Sequence, residues 1–279
     1  ISDYSFTEVV AMIKGIVLIT FIIEGIGALL LATRFVPMFG FRGIYISVFQ
    51  SISSFCNAGF DLMGDYKSLT EFNGEPVVLY TTAALIVVGG LGFIVWKDLY
   101  DYRVNRTLYL HTKLVLIMTV LLIFGGALFF LFQEYSNPAT MGPLNFFEKI
   151  NAAIFQSVTT RTAGYNSIDV GGMTEISKIF SVFLMFIGAA PGSTAGGVKV
   201  TTIAIVVIAI VSNIRGNSEA VVLKRKVPQD VINKSLAIIG LSMILVFTLT
   251  TIIISIEHMA FINVLFECTS AFGTVGQST

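Results

Sequence analysis

An all-α integral membrane fold, built from repeated units of helix, pore loop and helix, is predicted by three observations on this 279-residue chain. Hydrophobic residues make up 55% of it and charged residues 12%, and the mean hydropathy of +0.85 is far from that of a soluble domain. Long apolar runs alternate with short ones. One pattern also occurs three times, as SISSFCNAGFD (51–61), SVTTRTAGYNS (157–167) and CTSAFGTVGQS (268–278). Each copy runs from an apolar segment into small hydroxyl residues and ends at Gly59, Gly164 or Gly276, with Asn57, Thr162 or Thr274 two positions earlier. The glycines lie 105 and 112 residues apart, a period that predicts loops gathered around a single axis.

Taken in order, the long runs are 9–33, 75–96, 114–132, 179–211 and 235–256. Each covers the ~20 residues that a bilayer-spanning helix needs. The short runs, 43–56, 146–158 and 260–272, read as re-entrant or interfacial segments. Non-helical backbone at membrane depth requires burial in protein or a water-filled cavity, so a short helix ending in a glycine turn implies a cavity. The order is long helix, short helix with turn, long helix, twice over, and then a partial third unit. The expected units are 1–113, 114–226 and 227–279, the last without its inner helix, and the chain reads as a piece of a longer polypeptide.

Formal net charge is zero, which predicts no nucleic-acid partner. Loop 97–113 carries Lys97, Arg103, Arg106 and Lys113, and 213–234 carries Arg215, Lys224, Arg225, Lys226 and Lys234. These nine cations predict the cytoplasmic side. Segments flanking the short helices hold six cations (Arg34, Arg42, Lys67, Lys149, Arg161, Lys178) against ten acids, including Asp61, Asp65, Glu71, Glu75 and Asp169. The glycine turns therefore face outside, under a mildly negative surface. Cys56 and Cys268 fall in different copies without a pairing pattern and read as small packing residues. His111 and His258 lack spaced metal partners, and no paired intramembrane carboxylates or Ser/His/Asp set argue for an enzyme.

A dehydrated monovalent cation must be offered about as much oxygen as water gave it, and backbone carbonyls turned toward one axis can do this. Glycine makes the turn cheap by adopting positive φ. The candidate ion-binding residues are Asn57, Ala58 and Gly59, then Thr162, Ala163 and Gly164, then Thr274, Val275 and Gly276. A short helix entering from outside points its partially negative C-terminal end at the cavity. Ser53, Ser54, Thr159, Thr160, Thr269 and Ser270 either satisfy backbone groups behind the turns or pack, and packing is expected of most. Arg161, next to a turn, either braces it by bonding carbonyls from behind or hydrogen-bonds acids at the outer mouth, and bracing is the expectation. Lys14 and Glu24 lie ten residues apart in the first long run and are expected to snorkel or to meet another helix rather than each other.

The run 179–211 is interrupted by GAAPGSTAGGVK (188–199). Pro191 removes a backbone donor and the glycines weaken helix formation, so an unwound loop is expected there. A kink of small packing residues is the alternative. A phosphate-binding loop fails on context: Lys199 follows Val198 rather than Gly197, and no strand precedes it.

On the motifs NAGFD (57–61), TRTAGYNS (160–167) and SAFGTVG (270–276), the chain resembles the Trk/Ktr/HKT superfamily of potassium and sodium transporters, and the last two look like the bacterial Ktr branch. The resemblance implies four fused repeats in pseudo-fourfold arrangement, with Ile1 near the start of the second. It implies potassium uptake in the cell membrane, with K+ bound at the nine turn residues above and sodium as the alternative ion. Glycine at every visible filter position resembles potassium-permeable members. It also implies a movable gate formed by Gly188, Ala189, Ala190, Pro191, Gly192, Ser193, Thr194, Ala195, Gly196, Gly197, Val198 and Lys199. The partners implied are membrane lipid, a second copy in a homodimer, and a cytoplasmic nucleotide-binding regulatory ring of the RCK/KtrA type. Gln277 departs from the Phe60 and Tyr165 pattern. A sodium- or proton-coupled symporter, with broken helices forming a midplane site, is the second reading.

Overall fold

The structure is a computed structural model that describes residues 6–64, 67–216, 219–222 and 225–279; Asp65 and Lys224, counted among the charges above, lie outside the described residues. Helix α1 (Phe6–Phe39) is followed by short α2 (Phe41–Phe55), and α3 (Pro76–Leu91) completes the first unit. Helix α4 (Phe93–Asn105) leads to α5 (Leu110–Glu134), short α6 (Phe146–Thr159) and α7 (Glu175–Phe186). After the interrupted segment come α8 (Val200–Ile214), a two-stranded ribbon (Val221–Val222 with Arg225–Lys226), α9 (Gln229–Glu257) and short α10 (Phe261–Phe272).

Local chemistry explains these boundaries. Pro76 opens α3, where its missing N–H costs nothing. Asn145 and Glu148 form a reciprocal capping box at α6. Thr174 caps α7 by accepting from Ser177 N. The short helices begin and end within two residues of the short runs read from the sequence.

Residues 75–96 were expected as one span followed by a loop at 97–113, and the structure corrects this. The helix breaks at Gly92, φ 85°, and α4 leaves α3 at 91°. Phe93 N donates to Gly192 O at 3.1 Å, so the break occurs where the interrupted segment abuts α3. The run 179–211 likewise becomes two helices of 12 and 15 residues. Among the described residues three helices (Ile13–Phe39, Leu110–Glu134, Gln229–Glu257) are long and apolar enough to cross a membrane, and the bent α3–α4 pair makes a fourth if counted as one span. Phe21, Leu29, Leu128, Phe132, Leu241 and Ile244 stand exposed on the three long helices, as lipid-facing residues do.

Each long helix packs on the short one that follows it: α1 on α2, α5 on α6, α9 on α10. Helix α3 also bridges α2 and α6, while α7 packs on α10. One core joins Leu31, Phe35, Leu79 and Ile86 to Phe155 and Tyr165; a second joins Phe130, Leu184 and Met185 to Phe266 and Val275. Inner helices thereby tie neighbouring copies together and bring the three glycine turns side by side.

Candidate functional site

In all three turns φ is positive at the first and third positions: 51° and 75° at Asn57 and Gly59, 80° and 92° at Thr162 and Gly164, 54° and 87° at Thr274 and Gly276. The middle residues Ala58, Ala163 and Val275 are not positive. In an extended strand successive carbonyls alternate sides; alternating the sign of φ undoes that flip and turns them toward one side. Left-handed backbone at Asn57, Thr162 and Thr274 costs on the order of 1–3 kcal/mol each and persists only where the surroundings enforce it.

The enforcing contacts repeat in all three copies. Ala58 N donates to Ser53 O, Ala163 N to Thr159 O and Val275 N to Ser270 O, at 2.8–3.0 Å. Ser53 Oγ donates to Phe60 O, Thr159 Oγ1 to Tyr165 O and Ser270 Oγ to Gln277 O, at 2.7–2.8 Å. The spacing is seven, six and seven residues, which is the one-residue deletion before Thr162 read as geometry. Three of the six hydroxyls therefore hold the turns. Ser54, Thr160 and Thr269 bond back into their own helices, so packing accounts for half of the set rather than most.

Neighbouring turns touch through their glycines. A Cβ on Gly59 would collide with the Ala163 carbonyl oxygen, and one on Gly164 with that of Val275. Each of these two glycines thus lies against the middle carbonyl of the next copy, as members of a ring do.

Residues 188–199 form a folded loop, not a packed helix kink. Ile187 and Val198 pair as a parallel bridge, Gly188 N donates to Val198 O at 2.8 Å, and Val200 N to Ala189 O at 3.1 Å. Ala190 N reaches Gly90 O at 3.0 Å, and Ser193 Oγ donates to Ala190 O at 2.6 Å. Lys199 Nζ donates to Ala195 O at 2.6 Å, closing the loop on itself. Asn57 Nδ2 donates to Thr194 Oγ1 at 2.8 Å, and Thr194 Oγ1 donates to Phe55 O at 3.1 Å. A Cβ on Gly196 would collide with Thr274 Oγ1. The loop touches the first and third turns together.

Arg161 does not brace its turn as expected. It is buried, and among the described residues its guanidinium makes no hydrogen bond; Nε is unpartnered. It lines a small cavity with Val158, Ile86, Val87, Gly90 and Ala189, facing the loop and α3. Glu24 does meet another helix: its backbone oxygen accepts from Ser51 Oγ at 2.7 Å, and its carboxylate faces Cys56 Sγ at 4.0 Å. Lys14 is exposed. Cys268 is buried as expected, but Cys56 is exposed.

One cluster carried no readable signal in the sequence. The fully buried Glu134 carboxylate accepts from Asn137 Nδ2 (2.6 Å), Thr140 Oγ1 (2.6 Å), Thr174 N (3.0 Å) and Thr174 Oγ1 (2.8 Å). It fastens the end of α5 to the start of α7.

A family model described as "TrkH: Cation transport protein" matches residues 2–279. The chain belongs to the TrkH family. This is a family of transport proteins, not of enzymes. The chain is 40% identical over 269 residues to the Ktr system potassium uptake protein B of Bacillus subtilis, covering 96% of the chain and 60% of that protein. It is also 40% identical over 262 residues to the potassium/sodium uptake protein NtpJ of Enterococcus hirae, covering 91% and 57%. The chain thus spans somewhat less than two thirds of the length of these relatives. The solved potassium transporter TrkH from Vibrio parahaemolyticus superposes with a TM-score of 0.74 at 15% identity, over 100% of the chain and 60% of that structure. That likeness shows the fold: an integral membrane arrangement of repeated pore-loop units around a pseudo-fourfold axis.

Proposed function

We propose that the chain forms part of the wall of a membrane pore for potassium uptake. The observation that carries this is the set of three turns with alternating φ sign, each pinned by an equivalent hydroxyl, with Gly59 and Gly164 each seated against the next copy's middle carbonyl. In this reading K+ sheds its water and is coordinated by carbonyls of Asn57 to Gly59, Thr162 to Gly164 and Thr274 to Gly276. The loop Gly188 to Lys199 is the gate, since it bonds both to the first turn and to α3. The printed names of the relatives, potassium uptake protein B and potassium/sodium uptake protein, support the ion class. Inward movement of one monovalent cation gains about 2.3 kcal/mol per 100 mV of cell-negative potential, so permeation needs no chemical energy step.

The units 1–113, 114–226 and 227–279 act in this reading as successive repeats, with the glycine turns facing outside in the cell membrane. A homodimer and a cytoplasmic regulatory ring complete the assembly, the word "system" in the relative's name supporting a further subunit. The test is growth at low potassium of a host stripped of its own uptake systems. Rescue by the full-length protein is expected; no rescue, with the protein verified in the membrane, contradicts the proposal.

A further inference from the structure

The residue after two of the turn glycines reaches sideways into the preceding copy. Tyr165 follows Gly164 and is fully buried. Its hydroxyl donates to Ser53 Oγ at 2.7 Å and lies 3.3 Å from Phe60 O. Ser53 Oγ donates in turn to Phe60 O at 2.7 Å. A donor relay therefore runs from the Tyr165 phenol through Ser53 to the carbonyl just past Gly59. Gln277 follows Gly276, is equally buried, and repeats the move with different chemistry. Its Nε2 donates to Tyr165 O at 3.1 Å and to Asn166 Oδ1 at 3.2 Å, while its Oε1 accepts from Gln156 Nε2 at 3.5 Å. Tyr165 O is the same carbonyl that Thr159 Oγ1 holds.

In both neighbouring pairs, then, the carbonyl one residue past the glycine is gripped twice, once by its own short helix and once by the next copy. The first grip fixes the turn; the second fixes the distance between turns. We propose that Tyr165 and Gln277 are specificity-setting positioning residues, cross-ties that hold adjacent walls of the filter at the separation that favours one monovalent cation over another. This rests on the pore reading above. The departure of Gln277 from the aromatic pattern is explained on the same terms: a primary amide supplies a donor that reaches the neighbouring carbonyl, as the phenol does through Ser53. Whether discrimination arises from cavity size or from the number and field of the carbonyls, both depend on where the walls stand.

The test reconstitutes the full-length protein in liposomes and compares potassium with sodium uptake. Tyr165→Phe keeps the ring and its packing and removes the relay together with the weaker contact from Ser54 Oγ at 3.3 Å; Gln277→Met keeps length and removes the donor. The potassium-to-sodium uptake ratio is expected to fall about fivefold in each, the weight of one neutral hydrogen bond. Adding Ser53→Ala to Tyr165→Phe is expected to lower the ratio less than Ser53→Ala does alone, because the two share one relay. An unchanged ratio in folded variants, even with reduced total flux, overturns the proposal. Should Tyr165→Phe fail to fold, Gln277→Met decides by the same ratio. Absence of flux in the unsubstituted protein would instead sink the pore reading itself, so the two failures are distinguishable.

Discussion

Asn57, in the first turn, donates its side-chain amide to Thr194 of the interrupted loop at 2.8 Å across 137 residues of sequence. Thr194 passes the interaction on to Phe55 O, the end of the short helix that carries the turn. The loop and the turn are thus one hydrogen-bonded unit, and a displacement of either is felt by the other.

Thr194→Val keeps shape but removes both links, leaving Asn57 Nδ2 and Phe55 O without this partner. Lys199→Met removes the bond that closes the loop on Ala195. Both are expected to raise resting cation flux several-fold and to speed amide exchange at residues 188–199. Flux and exchange equal to those of the unsubstituted protein would show that the loop is not held shut by these bonds.

Ser270→Ala frees the Gln277 carbonyl behind the third turn, while Ser53→Ala and Thr159→Val each remove one of the two grips on the Phe60 and Tyr165 carbonyls. Losing the partner of a buried acceptor costs about 1–3 kcal/mol. Thermal unfolding in detergent is expected to occur at lower temperature for each, with Thr159→Ser close to unchanged. Ser54→Ala, whose hydroxyl bonds back into its own helix and only weakly to Tyr165 at 3.3 Å, is expected to cost less.

Glu134→Gln removes the charge and presents an amide N–H₂ on one side of a group that accepts four hydrogen bonds. Hydrogen bonds to a charged acceptor are worth about 1.5–3 kcal/mol each, so this exchange is strongly destabilising despite its small volume change. Melting of Glu134→Gln well below the unsubstituted protein is the expected result. Equal stability would mean that the α5 to α7 fastening contributes nothing.

Orientation is tested by labelling in a background with Cys56 and Cys268 replaced by serine. A cysteine at exposed Asp169 is expected to react with an impermeant thiol reagent added outside, and one at exposed Arg215 only after the membrane is opened. The reverse pattern would place the glycine turns inside.

Much of this architecture was legible in the sequence because it rests on features that one chain displays by itself. Three aligned turns, the short apolar runs 43–56, 146–158 and 260–272, and a proline-glycine interruption each have a local physical meaning. The bend at Gly92 was hidden because α3 and the start of α4 are apolar across the break; only the approach of Gly192 explains it. Glu134 and Gln277 were opaque for the same reason: their partners, Thr174 and Tyr165, lie 40 and 112 residues away. Arg161 makes no bracing hydrogen bond and instead lines a cavity with Ile86 and Ala189, a placement that adjacency to a turn does not reveal.

The most direct measurement is uptake of potassium, rubidium and sodium into liposomes holding the full-length protein, with and without Gly164→Ser. Gly164 sits at φ 92°, and a side chain there would collide with the Val275 carbonyl. Flux favouring potassium and rubidium is expected, and it is lost, or loses its selectivity, in the variant. Unchanged flux and selectivity would contradict it, because the repeated glycines would then be helix caps with no part in the path of the ion.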